Sequence, residues 1–172
     1  MERTLKMLLD RSSTIELKVA EVYDLFGQCF SDDPRLHNFW RLFAEAERYH
    51  SLLIQMQKVL LSHVQLDAER LNRWQQEVED ASTYLNDITR RIREAGWSPT
   101  ISEAFMMAHE IEGRSLEIQA RSLEFADQST IGELFTSLHE EDRGHRHKLL
   151  VARSQFDPSF EAPQGLEEYD GH

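Results

Sequence analysis

Glu47 and His50 stand three residues apart within residues 39–54, a stretch that reads as one continuous helix, so the two side chains share a helix face. That face is the apolar one: Trp40, Phe43, Glu47, His50 and Ile54 keep the three-and-four spacing of a core stripe. A carboxylate and an imidazole at core positions need partners, because burying them bare costs several kcal/mol. A second stretch repeats the theme. Leu134, Phe135, Leu138, Asp142, His145, Leu149 and Ala152 form one stripe, in which Asp142 stands three residues before His145 and Glu141 four before it. A carboxylate plus His on each of two helices, with a lone Glu on each of two others, is how a helical bundle builds a dinuclear metal site.

Two lone carboxylates suit the remaining places. Glu16 neighbours an apolar face made by Ile15, Val19, Val22 and Phe26, with Ala20 and Tyr23 beside them. It either enters that face or, in Ser13-Thr14-Ile15-Glu16, closes a capping box at a helix start. Glu112 lies on the stripe Phe105, Ala108, Glu112, Leu116, Gln119 and Leu123, where the small Ala108 leaves room beside the carboxylate. Carboxylates and neutral imidazoles together suit iron, manganese or zinc.

The elements that must position these residues are all helical. The chain has 172 residues with only seven Gly and four Pro, and no alternating β-branched runs stand out, so one all-α domain with a real core is expected. The first helix starts between Leu5 and Thr14 and runs to about Phe30. Asp33 caps and Pro34 opens the second, which runs to about Val64. Leu71, Trp74, Val78, Ala81, Leu85, Ile88 and Ile92 form the seam of a third long helix, which carries no buried ionisable residue. It bridges the helix pairs or meets a second chain. Gly96 ends it, and Thr100-Ile101-Ser102-Glu103 is a capping box for the next helix. Thr130-Ile131-Gly132-Glu133 is another, opening the last core helix. The bundle domain is expected over residues 1–153, and residues 154–172 read as a flexible acidic tail, having Pro, Gly and charge but no period.

Taken together these residues resemble the rubrerythrin branch of the ferritin-like di-iron carboxylate superfamily. Glu16 followed seven residues on by Tyr23 matches the first-helix signature, Glu47 and His50 match the Glu-x-x-His of the second helix, and Glu112 matches the third-helix Glu. Two positions depart from the pattern: Gln119 replaces a Tyr, and Asp142 replaces the Glu three before His145, with Glu141 as the alternative ligand. The resemblance implies a ferritin-like four-helix bundle with a long helical crossover over residues 66–95. It implies two metal ions, iron first and manganese or zinc next, held by Glu16, Glu47, His50, Glu112, Asp142 and His145, with Tyr23 donating a hydrogen bond to a ligand. It also implies a homodimer that reduces peroxide or oxidises ferrous iron. The competing readings are an iron-storing oligomer and a metal-free bundle serving as a binding or sensory scaffold.

Other classes fit poorly. A net charge of −12 opposes nucleic acid and anionic membrane surfaces as partners. The single cysteine, Cys29, reads as packing and excludes a Cys-rich iron or zinc site within the chain, so electrons must come from an external donor. His139 and His145 are too far apart for the His-Glu-x-x-His zinc motif. No run has the length of a membrane span and the start lacks a signal peptide's apolar core, so the cytoplasm is expected.

Overall fold

The computed structural model describes residues 2–59, 68–123 and 130–163. They form five α-helices: α1 (Glu2–Cys29), α2 (Pro34–Val59), α3 (Ala68–Ala95), α4 (Ile101–Leu123) and α5 (Thr130–Phe156). No strand occurs among the described residues, and none of their helices is long and apolar enough to cross a membrane.

Helix α1 begins at least three residues before the expected Leu5–Thr14 window, and this decides the reading of Glu16. The Thr14 hydroxyl donates back to the carbonyl of Asp10 at 2.8 Å, a mid-helix bond rather than a cap. Glu16 is therefore carried into the core. The next boundary is capped as anticipated: the Asp33 carboxylate accepts the backbone N–H groups of Arg35 and Leu36 at 2.9 and 3.2 Å, and Pro34 opens α2. Thr100 and Glu103 make the reciprocal capping box before α4, at 2.8 and 3.3 Å. Gly96 sits at φ 59°, the left-handed conformation that stops α3. The expected end of α2 near Val64 and the side chains of residues 130–132 lie outside the described residues.

Pairs of contacting residues fix the helix directions. On α1 and α2, Ser13 meets Ser51 and Gly27 meets His37, so the two run antiparallel. On α4 and α5, Ser102 meets Arg153 and Gln119 meets Asp142, again antiparallel. Helix α3 runs parallel to α1, through Arg11–Glu79 at 3.1 Å, Lys18–Asn86 at 2.8 Å and Glu21–Arg93 at 2.7 Å. Its seam residues from Leu71 to Ile88 are buried against α1 and α4, which is where the seam left open by the sequence finds its partner. At 28 residues α3 is about 42 Å long, enough to return the chain along the whole length of α2 so that α4 starts at the same end.

The interior is a single core shared by all five helices. One stripe differs from expectation. On α4 Leu116 is only half-buried, whereas Ile111, Ser115 and Ile118 are buried. The reason is that α4 is covered from several sides, by α5, α3 and α1, so its buried arc is wider than a single stripe. At the other end of the chain α5 continues to Phe156, three residues beyond the expected domain limit. Phe156 stacks near Phe105 and Phe39, and Asp157 accepts from Arg153 at 3.1 Å. Residues 164–172 lie outside the described residues.

Candidate metal centre

Four helices each send a carboxylate to one spot in the core: Glu16 from α1, Glu47 from α2, Glu112 from α4 and Asp142 from α5. All four are at most 2% exposed, and the imidazoles of His50 and His145 join them, 0% and 6% exposed. So much buried polarity is not what simple packing produces, since an unpaired buried carboxylate is strongly unfavourable. Two groups of three offer ligand atoms within 4.8 Å of one another: Glu16, Glu47 and His50, and Glu47, Glu112 and His145. Either group could hold a metal ion. The carboxylate common to both groups is Glu47.

The bonds around the cluster sort its atoms into held and free. Glu47 Oε2 faces His50 Nδ1 at 3.1 Å, one turn along its own helix. Glu47 Oε1 lies 3.0 Å from His145 Nδ1, yet neither atom has a hydrogen-bond partner of proper geometry. Glu112 Oε2 is 3.6 Å from that same nitrogen, while its Oε1 accepts the Tyr23 hydroxyl at 2.5 Å. Glu16 Oε2 and Asp142 Oδ1 are also buried without partners. Orphaned oxygen and nitrogen atoms on three helices, gathered in one cluster, are what a cation site requires, and they are costly otherwise. The two imidazole rings lie nearly parallel, 5.4 Å apart.

Protonation follows from this crowding. Burial, then the charge of Glu47, holds the Glu16 carboxyl well above its usual range, and burial with Glu112 does the same for Asp142. Glu112 is raised by burial and by Glu47. Burial also pushes Glu47 up, but the facing imidazoles of His145 and His50 outweigh it and bring the carboxyl down to about 2. Burial opposes the charged imidazoles, yet Glu47 lifts His50 to about 10, and Glu112 with Glu47 lifts His145 to about 11. In this pattern protons balance the charge. Four ionised carboxylates with two neutral imidazoles carry four negative charges, which two divalent cations match. The donor set therefore fits a pair of divalent ions in both chemistry and charge.

The remaining sequence candidates fall behind the cluster. Tyr23 is buried and donates to Glu112, on the opposite hairpin from its own. Burial, then Glu112, pushes its hydroxyl well up, so it stays a donor. Glu141, the alternative to Asp142, does not enter the core. It is 44% exposed, and its Oε2 accepts from the His50 ring Nε2 at 3.0 Å, on the side away from Glu47. Asp142 takes the core place instead, with Oδ1 3.6 Å from His50 Nδ1. It belongs to neither three-ligand group. Its other oxygen is held by Gln119, whose amide Nε2 donates to Oδ2 at 2.5 Å. That bond, and the grip of Glu141 on His50, were not anticipated. A polar Gln on a core stripe two turns after Glu112 was the available signal.

No family model, no curated protein and no solved structure matches the chain.

Proposed function

We propose that this chain is a rubrerythrin-like member of the ferritin-like superfamily. On this reading α1, α2, α4 and α5 are the four-helix bundle, α3 is its crossover, and two metal ions, iron first, occupy the centre. The observation that carries it is the pair of ligand groups sharing Glu47 in a dry core, with unpartnered atoms on Glu16, Glu47, Asp142 and His145. Bound iron would supply one-electron redox changes. Hydrogen peroxide would take two electrons and two protons to give two waters, the electrons coming from an external donor in peroxide reduction or from two ferrous ions, left ferric, in iron oxidation. Cys29 alone cannot hold an electron-transfer iron.

The protein's own residues have definite tasks in that scheme. Glu47 would bind both ions, Glu16 and His50 would complete one position, and Glu112 and His145 the other. Tyr23 fixes the orientation of Glu112 by holding one of its oxygens. Glu141 fixes the His50 ring from the solvent side. Phe43, packed on the His145 ring with centroids 5.0 Å apart, would help keep bulk water from the carboxylates.

A second reading, a metal-free scaffold, is favoured by one observation: both nitrogens of His50 already meet carboxylates of the chain, on Glu47 and Glu141. Metal analysis of protein purified without chelator, with its visible and near-ultraviolet spectrum, separates the two. The di-metal reading expects about two ions per chain and a higher melting temperature on anaerobic addition of ferrous iron or manganese, by mass action. Protein that holds no metal and melts at the same temperature with every divalent ion added would leave the scaffold.

A further inference from the structure

Gln119 stands where the α1 half of the molecule has Tyr23, seven residues after a core Glu, but it is not a smaller copy of that Tyr. It is 1% exposed, so bulk water does not reach its amide. Its Nε2 donates to Asp142 Oδ2 at 2.5 Å, across from α4 to α5. Its Oε1 has no partner, and neither has Asp142 Oδ1. The pair thus leaves two free oxygens in the core beside the two metal-ligand groups, one of them 3.6 Å from His50 Nδ1.

We propose that Gln119 is a positioning residue for the metal centre: by holding Asp142 Oδ2 it turns Asp142 into a one-oxygen ligand, with Oδ1 as the only atom offered to a cation. The inference rests on the di-metal reading. Three features support it. Asp is one methylene shorter than Glu, so its carboxylate cannot reach the cluster in many orientations and the one it takes must be fixed from outside. An amide N–H gives that hold in a single direction, and hydrogen bonds to charged acceptors are about twice as strong as neutral ones. Finally, the two deviations from the bundle pattern, Gln119 and Asp142, are bonded to each other, so the shorter ligand and its unusual donor form one device. A Tyr at 119 has only its hydroxyl to donate, at the end of a long rigid ring, whereas the Gln amide meets the retracted carboxylate at 2.5 Å.

The test is manganese titration of the chelator-stripped full chain, followed by paramagnetic resonance of the free ion. The unaltered protein should bind two ions per chain. Gln119→Met keeps length and removes the donor; it should weaken one of the two ions about tenfold or more and leave the other unchanged. Gln119→Glu, of the same shape, should weaken it further by setting two acceptors face to face. If Gln119 acts through Asp142, Gln119→Met adds nothing in an Asp142→Ala background, whereas a merely structural role would lower affinity equally in both backgrounds. The helical content of each variant, read by circular dichroism, guards against misfolding; should Gln119→Met lose it, Gln119→Glu carries the same comparison. Unchanged binding in the Gln119 variants, or an undiminished effect in the Asp142→Ala background, overturns the proposal while the di-metal reading stands. No manganese bound by the unaltered protein overturns both.

Discussion

Glu16, Tyr23, Glu47 and His50 on α1 and α2 have counterparts in Glu112, Gln119, Asp142 and His145 on α4 and α5. Order and spacing nearly repeat: seven residues from Glu to the hydrogen-bond donor in each half, and three from carboxylate to His. The two halves use this plan differently. In the first half the donor is a Tyr that reaches across to Glu112 of the other half, and both carboxylates are full-length Glu. In the second half the donor is a Gln that stays within its own hairpin, on a shortened Asp. The first half also keeps glycine away from its ligands. The second sets Gly113 next to Glu112 and Gly144 next to His145. Similar spacing therefore yields one donor that ties the two halves together and one that acts within its own hairpin.

The largest effect should come from the residue that belongs to both ligand groups. Glu47→Gln preserves shape but removes the shared carboxylate, so both ions should be lost, and with them the rise in melting temperature. Glu112→Ala should cost only the ion nearer His145. Metal content per chain after dialysis measures both, and a Glu47→Gln protein that keeps one tightly held ion would show that the halves bind independently.

An intermediate effect is expected across the hairpins. Tyr23→Phe strips Glu112 Oε1 of its only hydrogen bond in the core, and an unsatisfied buried acceptor costs about 1–3 kcal/mol, more for a charged one. Urea unfolding of the metal-stripped protein should show a loss of about that size. A change below about 0.5 kcal/mol would mean that the bond is replaced by other groups, and that the first half does not tie the molecule together through Tyr23.

The smallest effects should lie at the glycines. A Cβ added at Gly113 or Gly144 meets nothing within 4 Å, and both stand inside helices. Alanine at either should therefore stabilise by about 0.4–1 kcal/mol, by restricting the unfolded chain. Gly27 is different: a Cβ there meets the His37 backbone and Trp40 at 3.5 and 3.6 Å, where α1 and α2 approach closely. Alanine at Gly27 should gain less than at Gly144, and thermal melts of the three variants order them.

What the sequence showed, and what it hid, follows the same division. Glu47 and His50 were legible because large apolar residues flank them at helical spacing, which leaves the face they occupy in no doubt. Asp142 and His145 were legible for the same reason, but the choice between Asp142 and Glu141 was not, since neighbouring residues differ by only about 100° around a helix. Glu16 was ambiguous because a capping box and a core position can share one local pattern; only the distant start of α1 decides. Gln119 was hidden for another reason. Its partner is set by the register of α4 against α5, and register is a property of two helices that neither one carries alone.

The place of Glu47 in both groups also bears on how the molecule comes together. The group Glu16, Glu47 and His50 lies wholly on α1 and α2, a hairpin with a short turn, whereas the group Glu47, Glu112 and His145 draws on α2, α4 and α5. Contacts close in sequence form early, because little loop entropy opposes them. The first hairpin can thus assemble a complete three-ligand group on its own, while the second group exists only after α3 has brought the later hairpin alongside. Were a cation to bind the first group, its stabilisation would therefore act within one hairpin, whereas a cation at the second group would tie together helices far apart in sequence.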